Sequence, residues 1–308
     1  MPSANAASLG KYGDIPVSYH TGVPNIGIPI HTVQDGSLSI PINLSYHAGG
    51  LKVGEPCSWV GLGWSLQAGG MISRTVQGKA DERTDGYFDI GKYLSVVTIP
   101  VTLDPNNTCI AYNNPNYSYG SSQYTFETAN GGKDSEPDIF SFSVGGYSGK
   151  FYIEVDMTND NVVNGKAITI PKQDIKIDYT LDGNGSNIKR LSKFTITTPN
   201  GIKYEFGKID GDVNDGIEIT KPYNAQVDQY TSGWYLRRVT TPDDKSKIIL
   251  KYVPEKYRYG FRASTGGSPN NTIVSTSGRY NESTLDIIGY RLKYIENSTG
   301  TDIANFIE

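Results

Sequence analysis

The pattern that most constrains this chain is a two-residue alternation on either side of an Asp-Gly step. Ile26, Ile28 and Ile30 alternate with small or polar residues before Gln34-Asp35-Gly36-Ser37; after it, Leu38, Ile40, Ile42, Leu44 and Tyr46 alternate with Ser39, Pro41, Asn43 and Ser45. A period of two lays one apolar row along one face of a strand, and Asp-Gly suits the positive φ angles of a type I′ hairpin turn. The segment therefore predicts an antiparallel hairpin. Pro29 and Pro41 have no N–H, so at those positions each strand is an edge or is paired through its other side.

The same alternation returns further on. Phe140, Phe142 and Val144 lead through Gly145-Gly146-Tyr147-Ser148-Gly149 to Phe151, Ile153 and Val155, a second hairpin. Two further units have a strand, a Thr-Pro turn and a return strand: Phe194 to Thr198 with Pro199-Asn200-Gly201 and Ile202 to Phe206, then Trp234 to Thr241 with Pro242-Asp243-Asp244 and Ile248 to Tyr252. They look like serial addition of hairpins to one growing sheet. Near the C-terminus, Tyr290 to Ile295 begins another alternating strand with Leu292 and Tyr294 on one face. No capping element follows Ile303-Ala304-Asn305-Phe306-Ile307, which predicts a sheet whose last edge is paired by residues outside this chain.

With 308 residues the chain needs no staples to bury a core, and 22 Tyr, 35 Gly and 16 Pro fit many short strands joined by tight turns. The expected class is all-β: antiparallel hairpins forming a large curved sheet or partial shell or sandwich, with an irregular insertion. The expected organisation is an N-terminal β region over 1–84, a variable insertion over 85–134 with one short helix near Tyr87 to Val97, and a serial hairpin region over 135–308.

A formal net charge of −4 with scattered Lys and Arg provides no field for phosphates, which argues against a nucleic-acid partner. The most apolar stretch, Tyr93 to Leu103, is about half the length a bilayer-spanning helix needs. The N-terminus MPSANAASLG has no basic and apolar leader pattern, so an export signal is not expected within these residues. Cys57 and Cys109 permit one disulfide without implying it.

Candidate sites divide between chemistry and plain structure. His20, His31 and His47 could form a three-His metal site, but His31 and His47 fall opposite the apolar rows, where polar side chains meet solvent. Asp134, Glu136 and Asp138 could serve a glycosidase or a cation, against a reading as a solvated strand entrance. Asp210-Gly211-Asp212-Val213-Asn214-Asp215-Gly216 resembles a calcium loop whose Gly is one place late and whose bidentate Glu is replaced by Lys221. Trp59, Trp64 and Trp234 could stack on sugars or lie in the core. Trp59-Val60-Gly61-Leu62-Gly63-Trp64 reads as a structural motif, with Gly61 and Gly63 allowing a backbone kink between two indoles. No catalytic residue, cofactor or metal ligand is assigned, and a non-enzymatic role is expected.

An ordered set of motifs then stands out: Ala6-Ala7-Ser8-Leu9-Gly10-Lys11-Tyr12-Gly13, Pro24-Asn25-Ile26-Gly27-Ile28-Pro29-Ile30, Leu44-Ser45-Tyr46-His47 and Val60-Gly61-Leu62-Gly63-Trp64-Ser65-Leu66. They resemble the start of large bacterial Rhs/YD-repeat proteins and are similar to the N-terminal region of the toxin-complex B component. The resemblance is densest over residues 5 to 78 and returns at Glu136 to Phe142 and Gly149 to Phe151. It implies a hollow β shell, secreted or at the cell surface, which encloses a C-terminal toxin or effector. The partners it implies are the rest of the same polypeptide, with its downstream YD-type shell and cargo, and secretion machinery, type IX secretion being one route. The Tyr-Asp dipeptide itself does not occur here, nor does the family's aspartyl self-cleavage motif, so this segment would precede the repeats. The alternative reading is a cell-surface carbohydrate- or protein-binding β module.

Overall fold

The computed structural model describes residues 23–49, 57–58, 60–89, 132–155, 165–183, 189–209, 211, 216–222, 229–264 and 280–306. Among these the chain is nearly all β, in antiparallel sheets of three and twelve strands. The small sheet has the order β1 (Asn25–Asp35), β2 (Leu38–His47), β3 (Trp64–Ala68). The large sheet contains β4 (Met71–Thr75), β5 (Ile139–Val144), β6 (Tyr147–Glu154), β7 (Lys166–Ile170), β8 (Lys176–Gly183), β9 (Lys189–Thr197), β10 (Lys203–Gly207), β11 (Ile217–Pro222), β12 (Tyr230–Thr240), β13 (Lys247–Ser264), β14 (Tyr280–Glu296) and β15 (Asp302–Asn305). Of the helix expected near Tyr87 to Val97, a 3-10 turn at Tyr87–Asp89 is described, and 90–131 lie outside the described residues. No helix among the described residues is long and apolar enough to cross a membrane.

The first hairpin forms as its alternation predicts, with two corrections. Asp35 pairs with Leu38, so the two loop residues are Gly36 and Ser37, and only Gly36 has positive φ. That is the type II′ pattern rather than I′. A bulge between Pro29 and His31 also shifts the apolar phase, so that Val33 joins Ile40 in the core while Ile28 and Ile30 are exposed. Val33, Leu38, Ile40 and Ile42 pack onto the large sheet, making the small sheet a second layer. Gly69 and Gly70, both with positive φ, carry the chain from β3 directly into β4 of the other layer.

β12 organises the large sheet because its neighbours change along its length. One edge pairs with β10 near Thr240 and with β11 near Trp234; the other pairs with β13 near Thr240 and with β4 near Trp234. β13 diverges to pair with β14, and β14 pairs in turn with β11, so β11, β12, β13 and β14 form a closed ring. Beneath β12 sits an aromatic core in which Phe140, Phe151, Phe194 and Trp234 are fully buried. Phe140 and Phe151 stack at 5.0 Å, and Phe194 meets the Trp234 edge at 4.8 Å.

The two Thr-Pro turns share one geometry. The Thr198 hydroxyl donates to Asn200 Oδ1 and the Gly201 N–H to the Thr198 carbonyl; Thr241 pairs with Asp243 Oδ1 and Asp244 N–H in the same way. Gly201 and Asp244, the fourth residues of the two turns, both have positive φ. The register of β10 on β12 sets the turns side by side, where a Cβ on Gly201 would meet Pro242 Cγ at 2.8 Å. A third turn, Asn297 to Thr301, closes β14 onto β15, with the Thr301 and Thr299 N–H groups bonded to Asn297 Oδ1. Asp35 Oδ2 joins the N-terminal hairpin to this end, accepting the Lys247 N–H at 2.9 Å and the Ser298 N–H at 3.0 Å.

The C-terminal expectation needs revision. Between β13 and β14, Lys251 pairs with Tyr294 and Tyr252 with Leu292, leaving Lys293 as the extra residue of a bulge. The bulge flips the phase, so the buried residues are Leu292 and Ile295 rather than Leu292 and Tyr294. β15 folds back onto Tyr294 to Glu296, so the end of β14 is paired on both sides by the chain itself.

Candidate functional site

Where the small sheet overhangs the large one, a cleft of about 810 Å³ opens between them. That volume lies within the usual range for ligand sites. One wall is aromatic and apolar, with Tyr204, Tyr235, Tyr252, Tyr290, Leu236 and Leu292 contributed by β10, β12, β13 and β14. The other comes from β2 and β3 and carries Ser39, Asn43, Ser65 and Gln67 together with Leu66 and Ala68. The cleft exists because β13 leaves β12 for β14 while β4 takes its place, which parts the strands beside Tyr235 and Tyr252.

The tyrosines are fixed in orientation. Tyr235 donates its hydroxyl to Glu218 Oε2 at 3.2 Å and accepts the Tyr290 N–H at 3.4 Å; Tyr252 donates to the Leu236 carbonyl at 2.8 Å. Tyr235 packs against Tyr252 at 5.3 Å and edge-on to Tyr290 at 6.0 Å. Burial pushes the Tyr235 and Tyr252 hydroxyls above their ordinary range, and the Glu218 charge adds to the effect at Tyr235. These phenols stay neutral near pH 7. They suit packing and hydrogen bonding, whereas a general base needs a pKa near the working pH.

The acidic residues singled out from the sequence lie elsewhere. Glu136 is exposed, but Asp134 and Asp138 are buried, which corrects the reading of a solvated strand entrance. Asp134 accepts the Lys79 and Glu136 N–H groups at 2.8 and 3.0 Å. Asp138 joins a cluster around Arg74, whose Nε donates to Asp138 Oδ2 at 2.7 Å while its two terminal nitrogens grip Glu82 at 2.9 and 2.6 Å. Asp138 also accepts the Gln77 and Asp81 N–H groups, and Asp81 Oδ1 accepts the Asp138 N–H at 2.9 Å. Asp81 Oδ2 is buried without a partner among the described residues. Burial raises the Asp81 carboxyl to about 9, with the neighbouring Asp138 charge adding to it, so Asp81 is a neutral acid at pH 7.

A shifted carboxyl beside another is a frequent sign of catalysis. Here Asp81 and Asp138 are 0 % exposed, so no substrate reaches them as the chain is folded. The cluster instead ties 77–89 to 132–138. Sequence reading missed Arg74, Asp81 and Glu82; the available signal was that Arg74 falls in the buried phase of β4, two residues after Ile72.

The other candidates do not converge on the cleft. His31 and His47 are exposed and lie five register positions apart on the first hairpin, roughly 17 Å at the strand rise, too far to share an ion. His20, Cys109, Trp59 and most of the calcium-like segment, Asp210 and 212–215, lie outside the described residues, and Cys57 is exposed. Among the described residues no group of three His, Cys, Asp or Glu could hold a metal ion. Trp234 is core, its Nε1 donating to the Leu191 carbonyl at 3.0 Å. Trp64 is half-buried, with its ring 5.1 Å from Tyr46. Gly61 and Gly63 have φ of +121° and +75°, and a Cβ would meet Trp64 Cδ1 at 3.3 Å in the first case and Tyr46 Cε2 at 2.8 Å in the second. Ser58 Oγ donates to the Trp64 carbonyl at 2.5 Å and closes this kink.

Compared with known proteins, the chain matches no family model, no curated protein and no solved structure.

Proposed function

We propose that the chain is a non-enzymatic scaffold: the N-terminal part of a large secreted or surface-exposed shell of the Rhs/YD-repeat kind, which encloses or presents a C-terminal toxin or effector. The observation that carries this reading is the array of hairpins β9–β10, β12–β13 and β14–β15, whose turns gather at one end of the sheet and each bond the N–H of the fourth residue to the carbonyl of the first. Strands added in this way extend a sheet without a fixed limit, as a shell wall requires. Its partners are then the downstream part of its own polypeptide and the machinery that exports it. The test is the coding sequence after Glu308, followed by electron microscopy of the complete product. A long run of Tyr-Asp repeats and a hollow particle are expected; a stop codon directly after Glu308 would overturn the proposal.

The cleft favours a second reading, a cell-surface module that binds carbohydrate or protein, because ordered tyrosines facing Ser, Asn and Gln suit uncharged ligands. A glycan array probed with the chain separates the two readings, since a scaffold retains no glycan specifically.

A further inference from the structure

Side chains on a strand alternate between faces, so a cavity lined by successive residues of one strand sees that strand's edge. Ser65, Leu66, Gln67 and Ala68 of β3 all line the cleft. The direction of the backbone groups follows from the register. The His47 N–H donates to the Gly63 carbonyl across the β2–β3 ladder, and bonded pairs alternate, so Ser65 and Gln67 point their backbone groups at β2. Trp64, Leu66 and Ala68 then point theirs away from it. Trp64 agrees: its N–H is taken by the Gly61 carbonyl and its carbonyl by Ser58 Oγ, both off the outer side.

Leu66 and Ala68 have no such partner among the described residues, and β3 pairs with β2 alone. A strand edge carries donors and acceptors at a spacing that another extended backbone matches. The lining has one charged residue, Arg291, and so does not suit a polyion. Leu66 and Ala68 turn inwards towards the core while Ser65 and Gln67 are exposed, so a neighbouring strand is apolar on its inner face, against Tyr235 and Tyr290, and polar on its outer face.

We propose that the cleft is a strand-docking site, in which a short, uncharged, extended segment of a partner polypeptide, alternating apolar and polar residues, adds to β3 as a fourth strand of the small sheet. Ser58 stops the added strand at the Trp64 end. This site is independent of the scaffold reading and stands or falls by itself.

The test uses the full 308-residue chain and an acetylated, amidated peptide alternating Val and Thr, followed by residue-resolved amide exchange. Saturating peptide is expected to slow exchange at Leu66 and Ala68 by about tenfold or more. The same peptide N-methylated at alternate amides, in the two possible phases, is expected to lose this effect in one phase and keep it in the other. Leu66→Pro removes one outward N–H and should weaken binding while Ile40 and Ile42 keep their protection. Equal action by both methylated peptides would overturn the proposal. So would protection of β1 or β15 in place of β3, no slowing at Leu66, or protection of the cleft by a maltooligosaccharide but not by the peptide.

Discussion

Asp81 sets a pH dependence that can be isolated from the rest of the chain. In the unfolded chain its carboxyl ionises near pH 4, whereas the folded protein holds the proton to about 9. Folding therefore retains a proton between those limits, and the contribution of Asp81 to stability falls as pH rises from about 4 to about 9. Asp81→Asn keeps an oxygen for the Asp138 N–H and cannot ionise. Urea midpoints of variant and wild type at pH 5 and pH 8 should show the variant gaining on the wild type as pH rises; a constant difference would remove Asp81 from the account. At Gly63 two penalties coincide, a positive φ and a Cβ 2.8 Å from the Tyr46 ring. Gly63→Val is expected to cost between about 1 and 3 kcal/mol, measured as a drop in Tm. The motif around Gly63 was legible because paired Gly between Trp residues is a local signal. Asp81 was not, because its chemistry depends on Arg74 and Asp138, which only the pairing of β4 with β5 brings to it.

Among the elements, Asp35 of the first hairpin ties together the turns that follow β12 and β14. Its carboxyl is held below the usual carboxylate range chiefly by the Lys247 N–H; burial opposes this, and hydrogen bonds from Ser298 add to the lowering. The stabilisation is present above the unfolded pKa of about 4 and is lost as pH falls through the folded value. Asp35→Ala should speed exchange of the Lys247 and Ser298 amides near neutral pH but change little once the pH has fallen below the folded pKa of Asp35. Unaltered exchange at both amides would show that the hairpin tip is held by packing alone. The hairpins themselves were readable from alternation and turn residues, whereas their errors of phase share one cause. The bulges at Pro29/His31 and at Lys293 each insert one residue, and a single insertion exchanges the inner and outer rows from that point onwards.

For the whole molecule, ring closure through β11, β12, β13 and β14 changes where protection is expected. Tyr294 and Ile295 lie between β13 and β15, so their amides should exchange as slowly as those of β12, while Lys256 to Ser264, which among the described residues pair only with β14, should exchange faster. Fast exchange at Ile295 would mean that β15 does not hold, and the sheet would then have the open end that alternation alone predicts. The all-β class was evident from composition and period, but the ring was not: β12 reads as one strand, and nothing local announces that its neighbours change beside Trp234. The cleft was hidden for the same reason, since it exists only where β13 and β4 exchange places.

That exchange on β12 also governs when the chain can fold. Arg74 on β4 bonds to the Thr231 carbonyl across 157 residues of sequence, and Asp35 reaches Ser298 across 263. A chain leaving the ribosome from its N-terminus can form the first hairpin early, but β4 has no inner neighbour until β12 has been made. Such high contact order makes folding slow and late. The unfinished chain is thus long-lived, with its apolar rows open to solvent until β12 is made.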